Sequence, residues 1–310
     1  MLARTLAIAA NTYREAVRAR VLHGLLALAF AATLYAIFLG ALSLNQDARV
    51  VADVGAATLS LFSVLVAIVL GATSLQREVE YKTLFPILTR KLRRHEFLIG
   101  KLFGMILTIF VFVCLDGAAI LAILASLGGV SKGLLAGVVV GAVALLAGLF
   151  AWRKRDRDYI VIPWAAALFG VMALLAEPEA SERRLVLASV TLTLAESAIV
   201  SALALFFSSF SSPFLTAIFT LAVFLIGRSA DTATHLPPKV VGPFLADLVG
   251  NFAKILPNLH LFVPPRPLLL GEIPEKPLWP YVGRALGYAS AVTAALTGGA
   301  VLAFRKRDLT

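Results

Sequence analysis

Between two long apolar runs lies the segment Gln76–Lys101, which carries Arg77, Lys82, Arg90, Lys91, Arg93, Arg94 and Lys101. So dense a set of cations cannot rest in hydrocarbon without a large electrostatic penalty. The apolar runs that flank it have the opposite requirement, because roughly 20 consecutive apolar residues are what an ~30 Å hydrocarbon core asks of a helix. The chain must therefore cross a bilayer, leave it at Gln76–Lys101, and cross again. Composition agrees: 60% of the residues are hydrophobic and 15% charged, against about 45–50% and about 25% in soluble domains. Mean hydropathy is +0.90. The long runs do not alternate, which excludes an outer-membrane barrel.

The predicted fold is all-α, a polytopic transmembrane helix bundle of about eight spans forming one domain over residues 1–310. Residues 4–20 read as an amphipathic interfacial helix within the 1–20 region, with Leu6, Ala10, Tyr13 and Val17 on one face and Arg4, Asn11, Arg14 and Arg18 on the other. Spans are expected at 21–43, 52–75, 98–126, 132–152, 159–177, 185–207, 214–229 and 281–304. The pair 132–152 and 159–177 belongs to an additional hairpin, 131–178, which reads either as two full spans or as a re-entrant element. Its Gly133, Gly137 and Gly141 put small residues at every fourth position, where a neighbouring helix can approach closely. Residues 230–280 form a long loop. Within it Lys239–Leu256, with apolar residues at helical spacing, is expected to form an amphipathic helix lying in the outer interface, and Pro257 ends it.

The formal charge of +10 is not a nucleic-acid signal here. Its cations cluster at span ends, where they set topology and meet anionic headgroups of membrane lipids. Arg4, Arg14, Arg18 and Arg20, the seven cations of Gln76–Lys101, Arg153, Lys154, Arg155 and Arg157, and Arg305, Lys306 and Arg307 all fall on one side of an even span count. That side is the cytoplasm by the positive-inside rule, which predicts cytoplasmic N and C termini in a cytoplasmic (inner) membrane and an extracytoplasmic 230–280 loop. Residues 1–20 lack the apolar core of a cleavable signal peptide. Cys114 stands alone in an apolar run, and the four histidines are scattered without ligand spacing, so neither a disulfide framework nor a metal centre is expected.

Two carboxylates, Asp116 and Glu196, lie well inside apolar runs. Such residues face the bundle interior or a watery cavity. Each is either a cargo-contacting or gating group, or a protonated or hydrogen-bonded packing residue.

In order and spacing the chain resembles the permease subunit of a type-2 ATP-binding-cassette (ABC) exporter. Asn11-Thr12-Tyr13-Arg14-Glu15 with Arg18 resembles the family's opening elbow helix. Glu78, Glu80, Lys82-Thr83, Thr89-Arg90, Arg94, Glu96-Phe97 and Gly100-Lys101 resemble its coupling segment between the second and third spans. Ser208-Ser209 with Ser211-Ser212, Leu256-Pro257-Asn258-Leu259, and the terminal Phe304-Arg305-Lys306-Arg307-Asp308-Leu309 also match. Two features depart from the family: Lys91 stands where many relatives have proline, and the 131–178 hairpin raises the usual six spans to about eight.

The resemblance implies export of a cargo with energy from a separate ABC ATPase, two permease chains forming one pathway as a homodimer or heterodimer, and ATP with magnesium bound by the ATPase. No cofactor is expected in this chain, nor catalysis: Gly100-Lys101 is followed by Leu102, and no glycine precedes it at the spacing of a phosphate-binding loop. The residues expected to couple to the ATPase lie in 76–97: Arg77, Glu78, Glu80, Lys82, Thr83, Leu84, Phe85, Arg90 and Arg94. Leu84, Phe85, Ile87 and Leu88 supply apolar anchors among rim charges, and Pro86 breaks or bends the local helix. Two other classes remain open from sequence, a membrane scaffold without transport activity and a proton-driven secondary transporter using Asp116 and Glu196.

Overall fold

A computed structural model describes residues 2–43, 46–74, 93–153, 157–235, 256–264 and 277–305. Among them are nine α-helices and no strand: α1 (Leu2–Val17), α2 (Arg20–Ala41), α3 (Asp47–Ser74), α4 (Arg94–Leu127), α5 (Lys132–Trp152), α6 (Arg157–Leu175), α7 (Ala180–Ser208), α8 (Pro213–His235) and α9 (Leu278–Arg305). Helices are what hydrocarbon demands, since they satisfy every backbone N–H and C=O within the segment. Seven of the described helices are long and apolar enough to cross a membrane: α2 to α7 and α9. The chain is therefore a multi-pass helical membrane protein. Within α8 the stretch Pro213–Ser229 is apolar as well. The expected amphipathic helix Lys239–Leu256, apart from its final residue, and the segment 75–92 lie outside the described residues.

Helix ends follow local chemistry. Arg93 N–H donates to the Glu96 carboxylate at 3.2 Å, half of a capping box that opens α4. At the far end of α4, Gly129 adopts φ +90°, Val130 N–H reaches Ala125 O at 3.0 Å, and Gly129 N–H reaches Ser126 O at 3.4 Å. These are the paired bonds of a Schellman motif, and the positive φ explains the glycine. Ser131 Oγ then accepts from Leu134 N–H at 3.3 Å and starts α5. Pro213 occupies the first position of α8, where its missing N–H costs nothing.

Two compact units make up the chain. One comprises Ala7–Val66 and Phe103–Leu194. In it, Tyr13 of α1 packs with Val111 and Cys114 of α4 and Ala165 of α6. Gly104 permits this approach: a Cβ there would lie 2.6 Å from Ala9 O and 2.6 Å from Thr12 Cβ. Gly55 and Gly117 play the same part against Ile120 and against Phe169 and Val190. The α5–α6 hairpin is joined by Trp164 Nε1–H donating to Ala142 O at 2.9 Å. Of α5 only Leu135 is buried, and nothing lies within 4 Å of a Cβ built at Gly133, Gly137 or Gly141. The glycine-spaced face thus has no helix against it among the described residues.

The other unit comprises Met1–Leu6, Ala67–Leu102 and Ala195–Thr310. Here α3 and α7 meet at Gly71, whose added Cβ would fall 2.3 Å from Ala204 Cβ. The short stretch around the 3₁₀ turn His260–Phe262 is held on α8 and α9. Leu259 N–H donates to Gly227 O at 3.1 Å, Asn258 N–H to Tyr288 Oη at 2.9 Å, and Tyr281 O–H to Leu261 O at 2.8 Å.

Candidate functional site

The first eight coupling residues expected from sequence, Arg77, Glu78, Glu80, Lys82, Thr83, Leu84, Phe85 and Arg90, fall outside the described residues. The ninth, Arg94, opens α4 and sits at the foot of that segment. Its guanidinium donates from Nη1 to Phe304 O at 2.9 Å and lies 5.8 Å from the centre of the Phe304 ring. One turn on, the Phe97 ring stacks on Phe304 with centroids 6.5 Å apart. Another turn brings Lys101, whose ammonium donates to the carbonyl oxygen of Ser74 and lies 3.1 Å from Ser74 Oγ. It also rests 5.2 Å from the Phe97 ring centre. Lys101 and Phe304 are each 1% exposed. Residues 94, 97 and 101 share one face of α4 by helical spacing, and that face meets the ends of α3 and α9.

Glu196 on α7 is wholly buried, and its ion-pair partner is Arg228 on α8, which donates from Nη1 to Glu196 Oε1. Their depths match. Glu196 lies roughly 18 Å along α7 from the 209–212 turn and Arg228 roughly 22 Å along α8 from it, at about 1.5 Å per residue. The Cα–Cβ bond of Arg228 leans toward the start of α8, back toward the turn, which closes the difference. A paired carboxylate inside hydrocarbon is far less costly than a lone one. Next to Glu196 on α7, and a turn further on, the buried hydroxyls of Ser197 and Ser201 have no hydrogen-bond partner. Polar groups thus flank Glu196 along its own helix as well as from α8.

Asp116 on α4 is fully buried. Its Oδ1 accepts from the Thr33 hydroxyl of α2 at 3.0 Å, while Oδ2 has no partner. The two intramembrane carboxylates expected from sequence therefore have different chemistry, one held by a cation and the other by a neutral hydroxyl.

A fourth cluster joins α1 to the start of α6. Asp158 lies 3.3 Å from Arg14 Nε and 2.8 Å from Arg18 Nη2. Tyr13 O–H donates to Asp158 O at 3.0 Å, and Tyr159 O–H to Ala10 O at 3.4 Å. The Tyr13 and Tyr159 rings stack at 6.2 Å, with the Arg14 guanidinium 5.1 Å from the Tyr159 ring centre. Burial, and then the charge of Asp158, push the Tyr13 phenol above its ordinary range.

Of the site residues singled out from sequence, Asp116, Glu196 and Arg94 lie among the described residues, and sequence reasoning did not foresee the contacts they make. It missed Arg228, Thr33, Ser74 and Asp158 as partners. A cation at matching depth across a short inter-helix turn was the available signal for Arg228. Nothing local marked Ser74. No protein-family model matches this sequence, and no curated protein matches it.

Proposed function

We propose that the chain is the membrane-spanning permease subunit of an ABC-type exporter, moving a cargo across the cytoplasmic membrane with energy from a separate ATPase subunit. The observation that carries this reading is the charged, apolar-anchored segment 76–97 between two membrane-crossing helices, in a sequence without a phosphate-binding loop. The ordered resemblance of the elbow, the coupling segment and the serine turn to type-2 permeases supports it.

In this reading both termini and 76–97 face the cytoplasm, and two permease chains form one pathway beside two ATPase subunits. ATP and magnesium are held by the ATPase alone. Closure of the ATPase pair pushes on 76–97 and the elbow helix, and the spans respond by opening the inner cavity outward. The rim charges Arg77, Glu78, Glu80, Lys82, Arg90 and Arg94 orient the docking, with Leu84 and Phe85 as anchors. Asp116 and Glu196 serve as polar groups of the spans.

The test is co-expression with the ATPase subunit encoded nearest to this gene, purification into lipid nanodiscs, and measurement of binding and ATP hydrolysis. Joint replacement of Glu78, Arg90 and Arg94 by alanine is expected to slow association with the ATPase, to flatten its salt dependence and to weaken the complex, since charges at an interface rim steer and register the encounter. Binding and hydrolysis that survive this replacement intact would overturn the proposal.

A further inference from the structure

We infer that Lys101 is a positioning residue that closes the base of the segment between α3 and α4, so that a push on that segment moves α3, α4 and α9 together. The inference rests on the coupling role proposed above. Lysine is almost never fully buried unless it is paired, yet Lys101 is 1% exposed. Its ammonium reaches the carbonyl and hydroxyl of Ser74, the last residue of α3. There a helix leaves unsatisfied carbonyls and the negative end of its dipole. Lys101 therefore caps α3 from the second turn of α4, across 27 positions of sequence.

The same face of α4 holds the end of α9. Phe97 supplies an aromatic face to the Lys101 ammonium and stacks on Phe304. Arg94 binds both the ring and the carbonyl of Phe304. Three side chains at positions 94, 97 and 101 thus tie three helix ends into one foot at the base of the expected docking segment. Helix ends held to one another by a buried ammonium and a ring stack share a push that reaches any one of them.

A merely structural role for Lys101 predicts a loss of stability and nothing more, so the test needs a further readout. The full chain in nanodiscs is compared with K101M, which keeps length and removes the charge, and with K101R, which restores a cation. In the chain alone, amide exchange over residues 71–74 is expected to rise about tenfold in K101M and to return toward the parent rate in K101R. With the co-expressed ATPase bound, K101M is expected to change ATPase affinity by less than about threefold, since its site is not at the docking rim. The kcat for ATP hydrolysis is expected to fall about tenfold, because the stroke is no longer shared by the spans. K101L, which likewise lacks the charge and any donor for the Ser74 carbonyl, replaces K101M with the same expected outcomes if the latter fails to insert.

Unchanged exchange at 71–74 would show that Lys101 does not hold α3 and would overturn the inference. Raised exchange with unchanged hydrolysis would leave a structural tether and overturn the positioning role. If the parent chain binds no ATPase, the coupling reading itself fails, and the exchange data separate that result from a failed tether.

Discussion

Thr33 on α2 donates its hydroxyl to Oδ1 of Asp116 on α4 at 3.0 Å, and Oδ2 of the same carboxyl is buried without a partner. An interhelical bond of this kind is worth about 0.6 kcal/mol in membrane proteins, with about 1.7 kcal/mol as the upper end. Thr33→Val keeps the shape and removes the donor, so a destabilisation of about 1 kcal/mol is expected. Asp116→Asn keeps an acceptor for Thr33 and removes a group that hydrocarbon disfavours, so stability should hold or rise. Unfolding titrations in mixed micelles measure both. A larger loss for Asp116→Asn than for Thr33→Val would show that the carboxyl itself is needed.

The Glu196–Arg228 pair makes a sharper prediction. Removing one partner of a buried ion pair costs about 3–5 kcal/mol, whereas replacing both by apolar side chains of similar volume is often neutral. Arg228 remains 28% exposed, which places the expected loss for Arg228→Met at the low end, about 3 kcal/mol. The double replacement Glu196→Leu with Arg228→Met should recover most of it. Additive losses in the double-mutant cycle would mean that the two side chains do not act as a pair.

Glycines on two of the spans should behave oppositely. Gly104→Ala would set a methyl 2.6 Å from Ala9 O and Thr12 Cβ, whereas Gly137→Ala meets nothing within 4 Å. Overpacking of this sort costs about 1–3 kcal/mol. Gly104→Ala is therefore expected to displace α1 from α4 and to expose the buried Thr12 and Tyr13. Cysteine labelling at position 12, in a chain otherwise lacking Cys114, reports the displacement. Gly137→Ala should leave labelling and stability unchanged.

The architecture was legible because hydrocarbon imposes one strong rule. The 132–152 run, uncharged after Lys132 and bounded by Ser131 and Arg153, marks α5 at the very bounds observed. Elsewhere the helices extend beyond the apolar runs: α4 begins at Arg94, not at 98, because Glu96 caps it and Lys101 can stay buried by reaching Ser74. Hydropathy alone penalises both residues and so shortens the span. The polar partners were less legible for a related reason. Arg228 stands near the end of an apolar run and looks like a topology-setting cation, and its bond to Glu196 depends on how two helices face each other across a turn. Asp158 sits in a basic hexapeptide, where an acidic residue reads as part of a solvated charge run. Only the approach of α1 gives it Arg14 and Arg18.

That approach carries the last prediction, which is pH-dependent. Tyr13 donates to the backbone oxygen of Asp158, and its phenol is held above the ordinary range, chiefly by burial. A group whose folded pKa is raised contributes stability that is fully present below its unfolded value, about 10 for tyrosine. The contribution is lost as pH rises from there through the folded value. The α1–α6 contact should therefore be flat from pH 7 to about 9 and weaken above about 10. Tyr13→Phe removes this alkaline loss together with about 1 kcal/mol of the contact. The Arg14 and Arg18 pairs with Asp158 are partly exposed, so Asp158→Asn should cost only about 0.5–1 kcal/mol and less at high salt. Protease cleavage within residues 14–20, followed against pH and salt, checks all three. An alkaline loss that persists in Tyr13→Phe would assign the titration to another group.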